Sequence, residues 1–321
     1  MSLATRVLVG TGVVVMTAGA LVFAQGGDAA KVMADVRAAL GGEQKLASVT
    51  ALSGSGNAMR AQGETSTGGD YEFALAMPDK FFSKRVAAET PMGKVILKSG
   101  VNGDGLIQDT EQPSAPGGGM VMRFAGPGQS LNATPEQQAE ARKQQVENGK
   151  QEFARMALGM IGAAPANYPL QYTYSGTAEA PDGKADVLDV KGPGTFTGKL
   201  FVDQKSHLPL MFSWMAKEPL ILNIGGPGGG GGGANVVRMN AGSQADMEKM
   251  MAEADARMKA AEANRKMVEY RVYYGDYKKV DGLMLPHKFQ QSVAGAASSE
   301  ITIDKYKVNP KIDAKQFDIV K

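Results

Sequence analysis

The C-terminal segment Tyr270–Lys321 alternates apolar and polar residues, and this pattern constrains the fold more than any other feature of the chain. Ile301 and Ile303, for example, are separated by Thr302 and flanked by Glu300 and Asp304. Successive side chains of a strand point to opposite faces, so the pattern predicts an antiparallel sheet with one buried and one solvent-facing side. Asp281-Gly282 is a tight-turn dipeptide, and Asn309-Pro310 ends the last strand. The chain therefore ends in antiparallel sheet and not in a nucleotide-binding α/β unit.

The N-terminal residues 1–24 have the pattern of a cleavable secretory signal. Arg6 gives a positive start, residues 7–23 are apolar or small, and Val22 and Ala24 stand at the −3 and −1 positions before Gln25. The alternative is a retained membrane anchor. The segment is at the short end for a span of about 20 residues, and its glycines and alanines make it weakly hydrophobic. We therefore expect cleavage and export.

Composition excludes several classes of protein. The chain has no cysteine, which excludes a lipid-modified cysteine at the cleavage site, a disulfide framework and thiol catalysis. Its 35 Lys and Arg stand against 33 Asp and Glu, so there is no basic excess of the kind that binds nucleic acid.

Periodicity divides the mature chain into helices and two groups of short strands. Helices are predicted over residues 28–47, weakened or broken at Gly41-Gly42, and over 134–162. Strands are predicted between them, among them Asp70–Met77, and after them, separated by Gly, Pro, Asp or Asn, as in a β-meander. Residues 25–321 are interpreted as one domain with a Gly- and Met-rich insertion at about 217–266.

The insertion contains six consecutive glycines, 228–233, followed by a charged, Met-rich helix. A phosphate-binding loop is one interpretation, but the Gly-x-x-x-x-Gly-Lys-Ser/Thr pattern is absent, so the glycines predict a flexible linker. The helix carries Met247, Met250, Met251 and Met258. Flexible, polarisable Met side chains accept varied apolar partners, which suggests a mobile lid over an apolar groove. Ordinary core filling by an amphipathic helix is the alternative.

No pattern in the chain predicts catalysis. The two histidines, His207 and His287, each adjoin a Leu-Pro turn and have no nearby third ligand, so we interpret them as structural. There is no Gly-x-Ser-x-Gly elbow and no His-Glu-x-x-His motif. The expectation is a protein that is not an enzyme and has no cofactor or metal.

Three segments carry a family resemblance: AALGGEQKLASVTALSG at 38–54, GKLFVDQKSHLPLMF at 198–212, and VDGLMLPHKF with ITIDKYKVNPKIDAKQF within 280–317. They resemble the LolA/LolB-like superfamily of periplasmic outer-membrane lipoprotein carriers, and more nearly the LolA-like proteins of environmental bacteria. The resemblance implies a curved, unclosed antiparallel β-barrel of about eleven strands, with helices covering its concave face. It also implies a periplasmic or cell-envelope location and an inward basic residue that latches the closed state, for which Arg60, Arg85 and Arg123 are the candidates.

The resulting hypothesis is a binding protein that holds acyl chains or a lipidated or hydrophobic polypeptide in an apolar groove. Its partners would be lipids or lipoproteins. The alternative is an envelope signalling or scaffold module that binds another envelope protein. Large apolar residues on alternating strands are the predicted groove lining: Phe73, Leu75, Phe81, Leu97, Phe201, Leu210, Phe212, Trp214 and Leu285.

Signal cleavage gives the first testable prediction. The mature protein isolated from an exporting bacterium should begin at Gln25, because Val22 and Ala24 supply the small residues that the peptidase needs. N-terminal sequencing together with intact mass checks this. A chain that still contains residues 1–24 would instead support the membrane-anchor interpretation.

Overall fold

The computed structural model describes residues 26–62, 65–90, 93–111, 134–180, 183–219, 252–253, 256–257 and 260–319. Twelve strands and three α-helices account for most of them. The strands are β1 Ala51–Gln62, β2 Thr65–Ala76, β3 Lys80–Thr90, β4 Gly93–Asn102, β5 Gly105–Glu111, β6 Gln171–Ala180, β7 Gly183–Lys191, β8 Thr197–Asp203, β9 Pro209–Lys217, β10 Met267–Val280, β11 Leu283–Val293 and β12 Ala296–Val308. The helices are α1 Gly26–Leu40, α2 Glu43–Ala47 and α3 Pro135–Ile161.

All twelve strands form one antiparallel sheet in the order β5-β4-β3-β2-β1-β12-β11-β10-β9-β8-β7-β6. The first and last strands of the chain, β1 and β12, pair in the middle, and the sheet is curved but unclosed, with β5 and β6 at its two edges. The predicted fold class is thereby confirmed. The sheet has twelve strands where the family resemblance implied about eleven.

One strand, β2, extends further than the residue pattern indicates. The sequence predicts β2 from Asp70, but it begins at Thr65 and pairs with β1 as far as the rung Gln62↔Thr65. The added residues include Gly68 and Gly69, which lack strand propensity and do not alternate. Their extended conformation comes from backbone pairing with β1, which a local pattern does not reveal.

The predicted N-terminal helix is divided in two at Gly41-Gly42. Gly42 precedes α2 with φ +86° and ψ 155°, which no helix accommodates. Gly41 has φ +143°, and a Cβ on it would press against the Leu283 side chain. Glycine thus allows the chain to turn sharply while α1 and α2 remain close to the start of β11.

Helix α3 crosses the concave face of the sheet and begins where the sequence predicts. Thr134 caps it: the Thr134 hydroxyl accepts from the Gln137 amide, and the Gln137 side chain accepts from the Thr134 amide. The Phe153 ring stacks on Phe81 of β3 with centroids 5.4 Å apart. On the other half of the sheet, the Tyr274 hydroxyl donates to the Arg155 carbonyl at 2.7 Å. The helix therefore ties both halves of the open sheet together.

The main core lies between the concave face and the three helices. Leu40 of α1 and Leu46 of α2 close one end of it, beside Leu283 of β11. The convex face has a smaller cluster, where Phe317 of the C-terminal 3-10 helix packs edge-on against Phe82. Each fully buried Phe contributes about 1.5–3 kcal/mol, so the concave cluster dominates stability.

The chain leaves the sheet for the insertion and returns to it at the same pair of residues. Lys217, the last residue of β9, pairs directly with Met267, the first of β10. Below the insertion the Arg265 Nε donates to the Glu218 carbonyl at 2.6 Å, and Lys217 forms an ion pair with Glu262 at 3.0 Å. The two strands are thus joined firmly at its base. Within the described ranges, no helix combines the length and the apolar character needed to cross a membrane.

Close packing of α3 on the sheet gives the second prediction. Replacing Gly159 by Val should lower the free energy of unfolding by about 1–3 kcal/mol, because a Cβ at this position overlaps the Tyr274 ring. Urea unfolding with an unchanged m-value would measure this loss. Ala139→Val on an exposed turn of the same helix is the control and should cost only a few tenths of a kcal/mol. Equal losses in the two variants would contradict the packing explanation.

Candidate functional site

A cavity of about 430 Å³ lies between α3 and the concave face, at the end of the sheet away from α1 and α2. Strands β1–β4 and β9–β12 and helix α3 all contribute to its lining. Met59 and Arg60 at its rim are exposed, so the cavity reaches the surface near the β1–β2 hairpin. The other inward side chains of the sheet are largely packed in the core.

The cavity arises because the inward side chains of several strands change character along their length. In β3 the inward row runs from Phe81 in the core to Ser83 and then Arg85 in the cavity. In β11 it runs from Leu285 and Phe289 to Gln291. The residues that replace large apolar side chains are small or polar and all lie at the same end of the sheet. They leave space between the sheet and α3.

One side of the cavity, called here the apolar wall, comes mostly from the second half of the sheet. Trp214 on β9, Val272 on β10 and Ile301 on β12 belong to it, as do Leu97 on β4 and Met156 on α3. Trp214 is held in place by stacking on Tyr270, with ring centroids 5.4 Å apart.

The other side is charged. Three guanidinium groups, those of Arg60 on β1, Arg85 on β3 and Arg155 on α3, reach the cavity and are called here the arginine cluster. A single carboxylate, that of Glu152, faces them. Within the described part of the chain, no ion pair or side-chain hydrogen bond satisfies Arg60, Arg85 or Glu152. The cavity is thus amphipathic and carries an excess of positive charge.

Arg155 is the most firmly positioned member of the cluster. Its guanidinium carbon lies 4.1 Å from the Trp214 ring centroid, and one terminal nitrogen donates to the Gln151 Oε1 at 2.9 Å. Its Nε is buried and has no partner among the described residues. Burial lowers the pKa of Arg155 to about 10, while the charge of Glu152 opposes that shift. The group therefore remains a cation at neutral pH.

The charges of the cavity act on one another. Burial, and after it the charge of Arg60, lowers the pKa of Arg85. Burial raises the pKa of the Glu152 carboxyl, and the charges of Arg155 and Arg85 partly counteract this. Glu152 is accessible from the cavity, but protein atoms surround it, so its ionised form is poorly hydrated.

The predicted groove residues fall into three groups. Leu97 and Trp214 lie on the apolar wall. Phe73, Leu75, Phe81, Phe212 and Leu285 are at most 1% exposed and form the solid core beneath the cavity. Phe201 and Leu210 do not line the cavity.

The positions of Phe201 and Leu210 follow from strand geometry. Phe201 lies between Leu200 and Val202, whose side chains are in the core, so alternation turns it to the convex face. Leu210 is the extra residue of a β-bulge, because Phe201 pairs with Met211 and Val202 with Pro209. The bulge leaves Leu210 41% exposed.

The predicted lid residues Met247, Met250, Met251 and Met258 lie outside the described residues, as does Arg123 among the latch candidates. The other two candidates, Arg60 and Arg85, line the cavity. His287 is buried, and its Nδ1 lies 2.6 Å from the Ile303 carbonyl, while His207 occupies a turn with φ +58°. Within the described ranges no three His, Asp or Glu side chains are grouped as metal ligands would be.

Sequence reasoning missed Glu152 and Arg155 and did not join them to Arg85. A usable signal was present. Asn148, Glu152 and Arg155 recur at helical spacing on α3, which marks a polar stripe beside the apolar positions Phe153 and Met156.

No family model matches the chain, and no curated protein matches it. Three similar solved structures are distant. A LolA superfamily protein from Nitrosomonas europaea is 11% identical, with TM-score 0.45, over 90% of this chain and 97% of that one. A putative outer membrane lipoprotein-sorting protein domain from Vibrio parahaemolyticus is 6% identical, with TM-score 0.43, over 91% and 97%. A DUF1329 family protein from Desulfovibrio piger is 10% identical, with TM-score 0.42, over 90% and 96%.

The resemblance to LolA-like proteins stated from the sequence agrees with these likenesses. At such identities and TM-scores they say nothing about what this chain binds. The fold description rests on the strand order of the chain itself.

The raised pKa of Glu152 gives the third prediction. Because the folded state holds this proton more tightly than the unfolded state, stability is lost as pH rises from the ordinary glutamate pKa through the raised one. Glu152→Gln should therefore raise Tm at neutral pH and leave it unchanged below about pH 3.5, where both states are protonated. Thermal unfolding at several pH values checks this.

Glu140→Gln is the matched control, since it removes the same charge from an exposed position of the same helix. A gain in Tm that is equal at both pH values, or equal in the two variants, would contradict the assignment of a poorly hydrated carboxylate.

Proposed function

We propose that this chain is an exported, non-enzymatic binding protein that holds acyl chains, those of lipids or of lipidated polypeptides, in the cavity under α3. The observation that carries the proposal is a space of about 430 Å³ inside an otherwise packed concave core. Ligand pockets have volumes of roughly 300–1,000 Å³ and mostly apolar linings with a few polar groups. A ligand that binds there only in the folded state would raise the stability of the protein.

The apolar wall suits an extended hydrocarbon chain. Leu97, Trp214 and Ile301 come from three different strands of the sheet and line the cavity together with Val272 and Met156. Each methylene transferred from water to such a surface contributes about 0.8 kcal/mol. Affinity should therefore depend steeply on chain length until the cavity is filled.

Both ends of the insertion are anchored near the apolar wall. The chain leaves the sheet after Lys217 and returns at Met267, on the two strands that carry Trp214 and Val272. This supports the hypothesis that the insertion covers a bound chain, and the proposal includes the lid.

The location is also part of the proposal. The signal pattern of residues 1–24 and the absence of cysteine favour a chain that is released into the periplasm or cell envelope. A carrier of acyl chains between membranes works in such a compartment. One domain spanning residues 25–321 would serve this role.

A second candidate function is a signalling or scaffold module that binds another envelope protein. The edge strands β5 and β6 favour it, because each pairs with only one neighbour among the described strands. An exposed edge can accept a strand from a partner. Recovery of one stoichiometric protein and no lipid from the native envelope would support this candidate over the first.

Occupation of the cavity gives the fourth prediction. The purified protein should bind a fluorescent acyl probe, and displacing alkyl chains should gain about fourfold in affinity per added methylene. Leu97→Trp should abolish this binding, because the larger ring fills the cavity. Ile96→Trp is the matched control: it adds the same ring at the adjacent position, on the opposite face of β4, and should bind normally.

Native mass spectrometry of protein from its own envelope gives an independent check, with co-purified lipid as the expected result. If no lipid co-purifies and no alkyl chain of any head group displaces the probe, the carrier function is wrong.

A further inference from the structure

The arginine cluster gives the cavity a positive charge that a purely apolar ligand would leave unpaired. Arg60 and Arg85 approach the cavity from the sheet and Arg155 from the helix, so three cations converge from opposite walls on one space. Glu152 neutralises one of them, which leaves an excess of two positive charges. Within the described residues no further carboxylate lines the cavity.

Holding these cations in the cavity lowers the stability of the folded protein. Arg155 is fixed between Trp214 and Gln151, and its buried Nε has no partner among the described residues. Arg85 is half-buried and repelled by Arg60. Buried guanidinium groups are normally paired, because an unpaired one loses its hydration without compensation. An anion placed between them would supply the missing hydrogen-bond acceptors.

We propose that the cavity selects amphiphiles with an anionic head group, carboxylate or phosphate, which binds between Arg60, Arg85 and Arg155 while the chain lies along the apolar wall. This inference rests on the proposed function and names its substrate class. Guanidinium is suited to this role, since its planar array of donors matches the oxygens of both groups.

Glu152 tunes this selection. Its carboxylate faces the same space, so it repels a bound anion while it reduces the net charge of the empty cavity. Removal of this one charge should therefore strengthen binding of anions, in contrast to removal of any arginine. Opposite effects from neighbouring side chains distinguish head-group recognition from a general loss of structure.

The test compares ligands that share one alkyl chain and differ only in the head: carboxylate, phosphate, alcohol and trimethylammonium. Isothermal titration of the wild-type mature protein should give the carboxylate or the phosphate an affinity about 10- to 100-fold above the alcohol. The trimethylammonium compound should bind most weakly. Which of the two anions binds better separates a free fatty acid from a phospholipid head as the source.

Three variants locate the effect. Arg85→Met should remove the preference for the anion, a loss of about 10- to 100-fold, and leave alcohol binding within about twofold. Glu152→Gln should tighten anion binding and leave alcohol binding unchanged. Lys98→Met is the matched control, because Lys98 carries the same charge on the next strand but lies over the Phe82 ring on the convex face. It should bind like wild type.

If the wild-type protein binds the alcohol as tightly as both anions, head-group selection is wrong while the carrier function stands. If no compound binds, the carrier function itself fails. An equal loss in Lys98→Met would assign the preference to the overall charge and so overturn the role of the cavity. Arg60→Met provides a second variant with the same expectation as Arg85→Met, should the latter fail to fold.

Discussion

The packing of α3 against the concave face is the interaction on which the rest of the molecule depends. An open, curved sheet cannot bury its inner face against itself, so a second layer has to cover it. Helix α3 does so with Phe153 stacked on Phe81 in one half of the sheet and the Arg155 carbonyl bound by Tyr274 in the other. Where the inward side chains of the sheet become small or polar, the same stretch of helix borders the cavity through Asn148, Glu152 and Arg155. One helix therefore both completes the core and forms the site.

Local sequence patterns were sufficient for most of the fold. Alternation and turn residues located the strands, and the Thr134 cap located the start of α3, because both depend on neighbours in the chain. The strand β2 extends beyond its pattern because its partner β1 imposes the conformation on Gly68 and Gly69. The order of strands and the pairing of β1 with β12 are long-range properties of the folded chain. The family resemblance implied only the curved, unclosed sheet, and the strand order itself comes from the structure.

The site was harder to predict, for a physical reason. Large apolar side chains such as Phe73 and Phe81 are those that a core buries completely, so choosing groove residues by size selects the residues least available to a ligand. The residues that line the cavity look unremarkable in sequence: the family resemblance offered Arg60 and Arg85 as inward basic residues, but no local pattern distinguishes them from solvent-facing ones. Arg85 is identified as a cavity residue only by its place in β3: it follows Ser83 by two residues and Phe81 by four, so it shares their inward-facing side. The poorly hydrated charges of Glu152 and Arg155 cost stability, as those of functional sites often do.

The single rung at which Lys217 meets Met267 has an evolutionary consequence. Because the departing and returning chain ends are already held together by the ladder, the energetic cost of a longer connection grows only with the logarithm of its length. Related proteins can thus gain, lose or change the sequence of this segment while the sheet keeps its structure. The segment can therefore change what it contacts without affecting folding. Relatives of this chain should differ most in this segment and least at the end of the sheet that α1 and α2 cover.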